Sequence, residues 1–95
     1  MAAYIIFTRD KTKNPAEMEA YAPKARDSLA GHAVTPHVVY GRQEVLEGPQ
    51  TEGVVVLSFP TFEEAKAWYD SPSYKQAREH RFKGADYRAV IVEGV

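Results

Sequence analysis

Apolar and polar positions along the chain change period several times, and each change marks an element. Tyr4 to Arg9 is β-branched and aromatic, the composition of a strand. A polar loop over Asp10-Lys11-Thr12-Lys13 follows. Asn14-Pro15 then supplies an N-cap with proline at the first helical position. Met18, Tyr21, Ala22, Ala25 and Leu29 recur at three- and four-residue steps, which predicts a helix with one apolar face. Pro23 falls inside that pattern, where its missing N–H predicts a kink or interruption. Gly31 is the expected stop.

Val34 to Arg42 reads as a second strand with Pro36 near its start, and Gly41 breaks its regularity. Glu44 to Gly48 is expected to continue extended, with a turn over residues 49–53. Val54 to Phe59 is the third strand. Thr61 and Glu64 form a capping box for a helix whose expected buried face is Phe62, Ala65 and Trp68 or Tyr69. Ser71-Pro72 opens another helix through about Phe82, Gly84 stops it, and Tyr87 to Glu93 is the last strand. The order β-α-β-β-α-β predicts an α+β, ferredoxin-like single domain over residues 1–95 with an antiparallel sheet.

These strands are apolar on both faces: Ile5 and Phe7 against Tyr4 and Ile6, Val55 and Leu57 against Val54 and Val56, Val90 and Val92 against Ala89 and Ile91. A half-solvated antiparallel sheet alternates instead. The helices can cover one face, and no segment of the chain is left for the other. Each valine or isoleucine is worth ~1.5–3 kcal/mol when buried, so the pattern predicts a homodimer with two sheets packed face to face. A lone domain with an unusually apolar sheet is the alternative.

Composition narrows the partners. A chain of 95 residues buries only roughly 60–65% of its unfolded surface. It has no cysteine, which excludes disulfides and thiolate metal sites and is compatible with a cytoplasmic location. Met1 to Phe7 lacks the features of a signal peptide, and no apolar run approaches a membrane span, so no membrane partner is expected. The net charge of −1, with signs interspersed, and an aliphatic free sheet face argue against nucleic-acid binding.

Candidate chemistry is sparse. Tyr74, Arg78 and Arg81 lie at i, i+4 and i+7, on one helical face. A phenol and two guanidinium forks suit a carboxylate or enolate. Alternatively, Tyr74 packs on the sheet and the arginines pair with surface carboxylates. His37 is a candidate general base and Tyr40 a partner acid, although residues i and i+3 of a strand face opposite sides unless a bulge near Gly41 intervenes. Arg42 and Glu44 point to one side of an extended segment and could line a pocket mouth or a subunit edge. Trp68 lines either the core or the pocket. His32, His37 and His80 have no metal-ligand spacing, and neither a metal nor a cofactor is expected.

Three segments together carry a resemblance that spans the chain: Gly41-Arg42-Gln43-Glu44-Val45-Leu46-Glu47-Gly48; Phe59-Pro60-Thr61-Phe62-Glu63-Glu64-Ala65 with Trp68-Tyr69 and Ser71-Pro72-Ser73-Tyr74; and Val90-Ile91-Val92-Glu93-Gly94-Val95. The chain resembles the DUF1330 family of the dimeric α/β-barrel superfamily. The opening departs from it: a short aspartate-rich strand end is common there, and this chain has Thr8-Arg9-Asp10-Lys11-Thr12-Lys13. The resemblance implies a ferredoxin-like subunit and a barrel-forming dimer, with no established activity. The superfamily also holds cofactor-independent monooxygenases, muconolactone isomerases, haem-degrading monooxygenases and chlorite dismutases, whose sites lie between sheet and helices. The Trp68 to Arg78 segment looks like the corresponding helix of the antibiotic-biosynthesis and haem-degrading monooxygenases. Those enzymes would carry histidine where this chain has Arg78, and an asparagine on the first strand, which Tyr4 to Arg9 lacks. Arginine is no ordinary haem ligand, and His80, two positions on, is turned ~200° around the helix. The reading is therefore a dimer with a small-anion site and isomerase- or monooxygenase-like chemistry without a cofactor, or a non-catalytic ligand-binding or accessory protein.

Overall fold

The computed structural model describes residues 1–95. Its elements run β1 (Ala3–Thr12), α1 (Pro15–Asp27), β2 (Thr35–Val39), β3 (Gly53–Phe59), α2 (Phe62–Tyr69), α3 (Pro72–Gly84) and β4 (Ala85–Glu93). The four strands form one sheet in the order β2-β3-β1-β4, with every neighbour antiparallel. This is the expected ferredoxin-like arrangement, with the Ser71-Pro72 break dividing the second helical segment in two.

Helix starts follow the local chemistry. The Asn14 side chain accepts from the Ala16 N–H, Thr61 Oγ1 accepts from the Glu64 N–H at 3.1 Å, and Ser71 Oγ accepts from the Tyr74 N–H at 3.3 Å. Boundaries depart from expectation where distant partners intervene. β1 runs through the expected loop to Thr12, because Lys11 and Thr12 pair with Asp86 and Ala85 of β4, after a register shift. Glu52 also accepts from both the Thr12 N–H and its hydroxyl. β2 stops at Val39, since Tyr40 turns the chain with φ 55. Arg42 and the stretch Glu44–Gly48 are therefore outside any strand. Pro23 does not interrupt α1, which is continuous: its ring is exposed, and its missing N–H removes one bond from the helix. Phe62 opens α2 on its exposed side, leaving Ala65 and Trp68 as the buried face.

The core lies between the sheet and the helices: Ala3, Ile5 and Phe7 of β1, Leu57 and Phe59 of β3, Ala65 and Trp68 of α2, Tyr74 and Ala77 of α3. Trp68 stacks on Phe59 and lies 4.1 Å, centroid to centroid, from Tyr74. Helices α1 and α3 are fastened at one end by the Lys13 and Asn14 N–H groups, which both donate to Gly84 O. Gly84 has no room for a side chain: a Cβ there would stand 2.7 Å from Met18 Sδ. At β2 the helix layer is incomplete. No residue of α1 is fully buried, and every residue of β2 is exposed.

The other sheet face carries Tyr4, Ile6, Val54 and Val56 with Val38, Val90 and Val92, and no element covers it. Val90 is 53% and Val92 45% exposed. No helix is long and apolar enough to cross a membrane.

Candidate functional site

Because α1 stands off the β2–β3 side of the sheet, a cavity of about 460 Å³ remains between them. Helix α1 supplies Tyr21, Ala22, Ala25 and Arg26; Leu29 follows it. The sheet supplies Phe7, Val55, Leu57 and Tyr87. Pro36, Val39 and Tyr40 form the β2 wall, and Trp68 reaches in from α2. The walls are apolar apart from Arg26, the indole edge and three phenols, so any polar group of a ligand has few partners to choose from.

The indole N–H is already committed. Trp68 Nε1 donates to Ser28 Oγ at 3.1 Å, and Ser28 donates in turn to Ala25 O at 2.6 Å. Trp68 is thereby a rigid wall.

The phenols form two pairs. Tyr21 and Tyr74 share a hydrogen bond of 2.7 Å between α1 and α3. Burial raises the pKa of both above the ordinary phenol value, and for Tyr21 the neighbouring Tyr74 raises it further. Both are neutral hydrogen-bonding groups at physiological pH. Behind them is Arg81, only 3% exposed, whose guanidinium lies 5.3 Å from the Phe7 ring centroid and 5.0 Å from that of Tyr87. Its positive charge opposes the effect of burial on Tyr74.

The second pair closes the end of the cavity. Gly53, Arg9 and Tyr87 are aligned across β3, β1 and β4. The Tyr40 ring lies over Gly53 and its hydroxyl bonds that of Tyr87. A Cβ on Gly53 would come within 3 Å of two Tyr40 ring carbons, so only glycine lets the ring lie there. The Arg9 guanidinium stacks 4.7 Å from the Tyr40 centroid and forms an ion pair with Glu52 at 3.1 Å, although its Nε–H is not aimed along that line. Burial, reinforced by the bond to Tyr40, raises the Tyr87 pKa.

The residues singled out in the sequence fall in five places. Tyr40 and Trp68 line the cavity. Tyr74 and Arg81 lie just behind its wall, with Tyr74 reaching it through Tyr21. Arg78 is on the far side of Tyr69: its guanidinium lies over that ring at 4.4 Å, and Nη1 donates to Tyr69 O. His37 is on the uncovered sheet face, 2.7 Å from Ser58 Oγ and with its ring 5.9 Å from that of Tyr4. It therefore shares no pocket with Tyr40 or Tyr74. Arg42 is exposed and makes no ion pair. Tyr21, Tyr87, Arg9 and Gly53 escaped the sequence reading. Tyr21 was visible only as a member of an apolar helical stripe, and nothing local ties it to Tyr74, 53 positions on. No group of three or more His, Cys, Asp or Glu side chains is arranged to hold a metal ion.

Solved structures with this fold are numerous. A dimeric ferredoxin-like protein of unknown function from Jannaschia sp. CCS1 superposes with a TM-score of 0.76 at 12% identity, covering 99% of this chain and 100% of that one. A dimeric ferredoxin-like protein of unknown function from Thermobifida fusca YX gives 0.68 at 18% identity, with 97% and 90% covered. A dabb family protein with a ferredoxin-like fold from Mesorhizobium loti MAFF303099 gives 0.70 at 14%, with 100% and 99% covered. At these identities the likeness shows the fold alone. None of the curated proteins matches the chain. The model of the domain of unknown function DUF1330 matches residues 2–95, essentially the whole sequence, and the chain belongs to that family.

Proposed function

We propose that this protein is a homodimer that binds a small organic molecule, through a carboxylate or enolate oxygen, in the cavity between its sheet and helices. The observation that carries the reading is the Tyr21–Tyr74 hydroxyl pair on the cavity side of a buried arginine. With ligand bound, Arg81 holds the Tyr74 oxygen, Tyr74 donates to Tyr21, and Tyr21 donates to the ligand oxygen. Each bond in such a chain polarises the next. The arrangement suits an oxygen on which negative charge develops, as in proton transfer beside a carbonyl. Because burial keeps the phenols protonated, they supply hydrogen bonds and not a base.

The dimer is supported by the uncovered aliphatic face and by the dimeric state of the Jannaschia and Thermobifida relatives. Two such faces packed together would leave the two cavities outside the interface, each complete within its own subunit.

A non-catalytic ligand-binding protein is the second reading, and one observation favours it. The cavity lining contains no carboxylate and no histidine to take a proton. The two readings separate in one experiment. Small enolisable aryl ketones are titrated against the fluorescence of Trp68, the single tryptophan, and their α-hydrogens are followed by NMR in D2O. Binding lost roughly tenfold in Tyr21→Phe, the scale of a bond to a charge-bearing oxygen, supports the site. Enzyme-dependent deuterium uptake supports catalysis, and binding without uptake supports the second reading. Equal binding by wild type and Tyr21→Phe removes the phenol pair from the site.

A further inference from the structure

A second place on the molecule gathers three cations against a single carboxylate. Tyr69, the last residue of α2, lies between two arginines of α3. Arg78 covers its ring at 4.4 Å, and Arg81 Nη2 stands 3.5 Å from its hydroxyl, at the outer limit of a hydrogen bond. Lys66 approaches the same ring at 6.0 Å. The one carboxylate paired with any of these three cations is Asp70, 2.6 Å from Lys66 and 3.9 Å from Arg78. The hydrogen bond from Lys66 holds the Asp70 carboxyl below its ordinary range, so it is ionised and already engaged.

Arg81 is the exceptional member. It is 97% buried (3% exposed), pairs with no carboxylate, and its Nε has no hydrogen-bond partner. Its surroundings are aromatic: Phe7, Phe82 and Tyr87. Such stacking accommodates a guanidinium plane but offers its in-plane N–H groups no acceptor, and Nε is left without one. A neutral phenol at 3.5 Å is a poor substitute for an anion, because charge-assisted bonds are shorter and roughly twice as strong as neutral ones. On the far side of Tyr69 a groove of about 190 Å³ opens, lined by Ile5, Ala89, Val90 and Ile91 with Lys66 at its lip. Tyr69 lines this groove and its hydroxyl meets Arg81, which is not itself part of the lining.

We propose that the groove is a site for a small aromatic carboxylate. The carboxylate takes the place of the Tyr69 hydroxyl against Arg81, and the ring lies on Ala89 and Ile91, the β4 residues of the helix-covered sheet face. Apolar lining selects a ligand with a hydrophobic body over a bare anion, and the volume limits that body to about one ring. This site is separate from the large cavity: the two share no lining residue, and Arg81 stands behind both.

Benzoate is the probe, titrated into the full chain and followed by NMR of the backbone and arginine Nε–H resonances. Saturable shifts are expected at Tyr69, Arg78, Arg81, Ala89 and Ile91. Arg81→Met, which fills the aromatic surround without charge, is expected to weaken binding roughly tenfold or more, the scale of one lost charge-assisted bond. Tyr69→Phe removes the competing hydroxyl and is expected to bind at least as tightly as wild type. Tyr21→Phe is expected to leave the saturable shifts at Tyr69 and Ile91 unchanged whatever it does to shifts in the cavity, so failure here is distinguishable from failure of the cavity reading. Inorganic phosphate is expected to bind more weakly than benzoate. The proposal is overturned if no saturable shifts appear at Tyr69, Arg81 and Ile91 at tens of millimolar benzoate, or if phosphate produces the same shifts as readily. Should Arg81→Met fail to fold, the shift map of the wild-type protein decides alone.

Discussion

Gly53→Ala tests how the end of the cavity is built. Gly53 is buried at the start of β3, its backbone is not left-handed, and a methyl group there strains nothing in the chain itself. What the methyl meets is the Tyr40 ring, within 3 Å at two carbons. Tyr40 is 41% exposed and can swing outward. Leaving costs the Tyr40–Tyr87 hydroxyl bond, about 0.5–1.5 kcal/mol net, and the Arg9 stack, about 0.5–1 kcal/mol. Gly53→Ala should therefore destabilise the wild type by about 1–2.5 kcal/mol, a Tm change of about 4–8 °C for each kcal/mol in a domain of this size. In a Tyr40→Ala background nothing remains to clash. There the same substitution should be neutral or stabilising by about 0.4–1 kcal/mol, because alanine restricts the unfolded chain. Urea unfolding of wild type, both single mutants and the double mutant gives the coupling, expected at about 1–3.5 kcal/mol. Acrylamide quenching of Trp68 in the same four proteins reports whether the cavity end has opened. Equal destabilisation by Gly53→Ala in both backgrounds would refute the placement of Tyr40 over Gly53.

Three further outcomes are expected. Ser28→Ala leaves the buried Trp68 N–H without a partner and should cost about 1–3 kcal/mol, measured by denaturant unfolding; a loss under about 0.5 kcal/mol would mean the indole is bonded elsewhere. Tyr21, Tyr74 and Tyr87 have folded-state pKa values raised above their unfolded ones by burial. The stability this contributes is fully present below the unfolded value near ~10 and is lost as pH rises through and above it. Absorbance at alkaline pH should therefore show these three of the six tyrosines ionising late, together with unfolding, and six phenols titrating independently before unfolding would contradict their burial. Val56→Lys places a charge in the middle of the uncovered sheet face, and light scattering should show twice the chain mass for wild type and one chain mass for the variant; an unchanged mass would exclude that face as the dimer interface.

The parts of the fold that were legible in the sequence are those governed by neighbours in the chain. Asn14, Thr61 and Ser71 each cap the helix that follows them, since the bond spans only two or three residues. β-branched and aromatic runs placed the strands, and helical spacing with caps and breakers placed the helices. The boundaries that moved answer to remote partners: β1 lengthened because β4 and Glu52 hold its end, and β2 shortened because Tyr40 turns away. The candidate site was legible only in pieces. Tyr40 and Trp68 reach the cavity, Tyr74 and Arg81 sit behind it, and Arg78 and His37 lie elsewhere. Helical spacing put Tyr74, Arg78 and Arg81 on one face correctly, but a face is wider than a pocket. Tyr69 divides that face: Tyr74 lies 5.5 Å from its ring on the core side, while Arg78 covers it from the other.

Two things about this protein follow from its sequence by itself. One is the β-α-β-β-α-β order, because propensity, caps and breakers act over a few residues. The other is the unpartnered apolar sheet face, because side chains alternate along a strand wherever it is placed. Where α1 stands off the sheet, and that Tyr21 meets Tyr74, Tyr40 reaches Tyr87 over Gly53 and Arg81 is buried without an anion, only the tertiary structure decided. Each of these joins residues far apart in the chain, through packing volumes that no local pattern encodes.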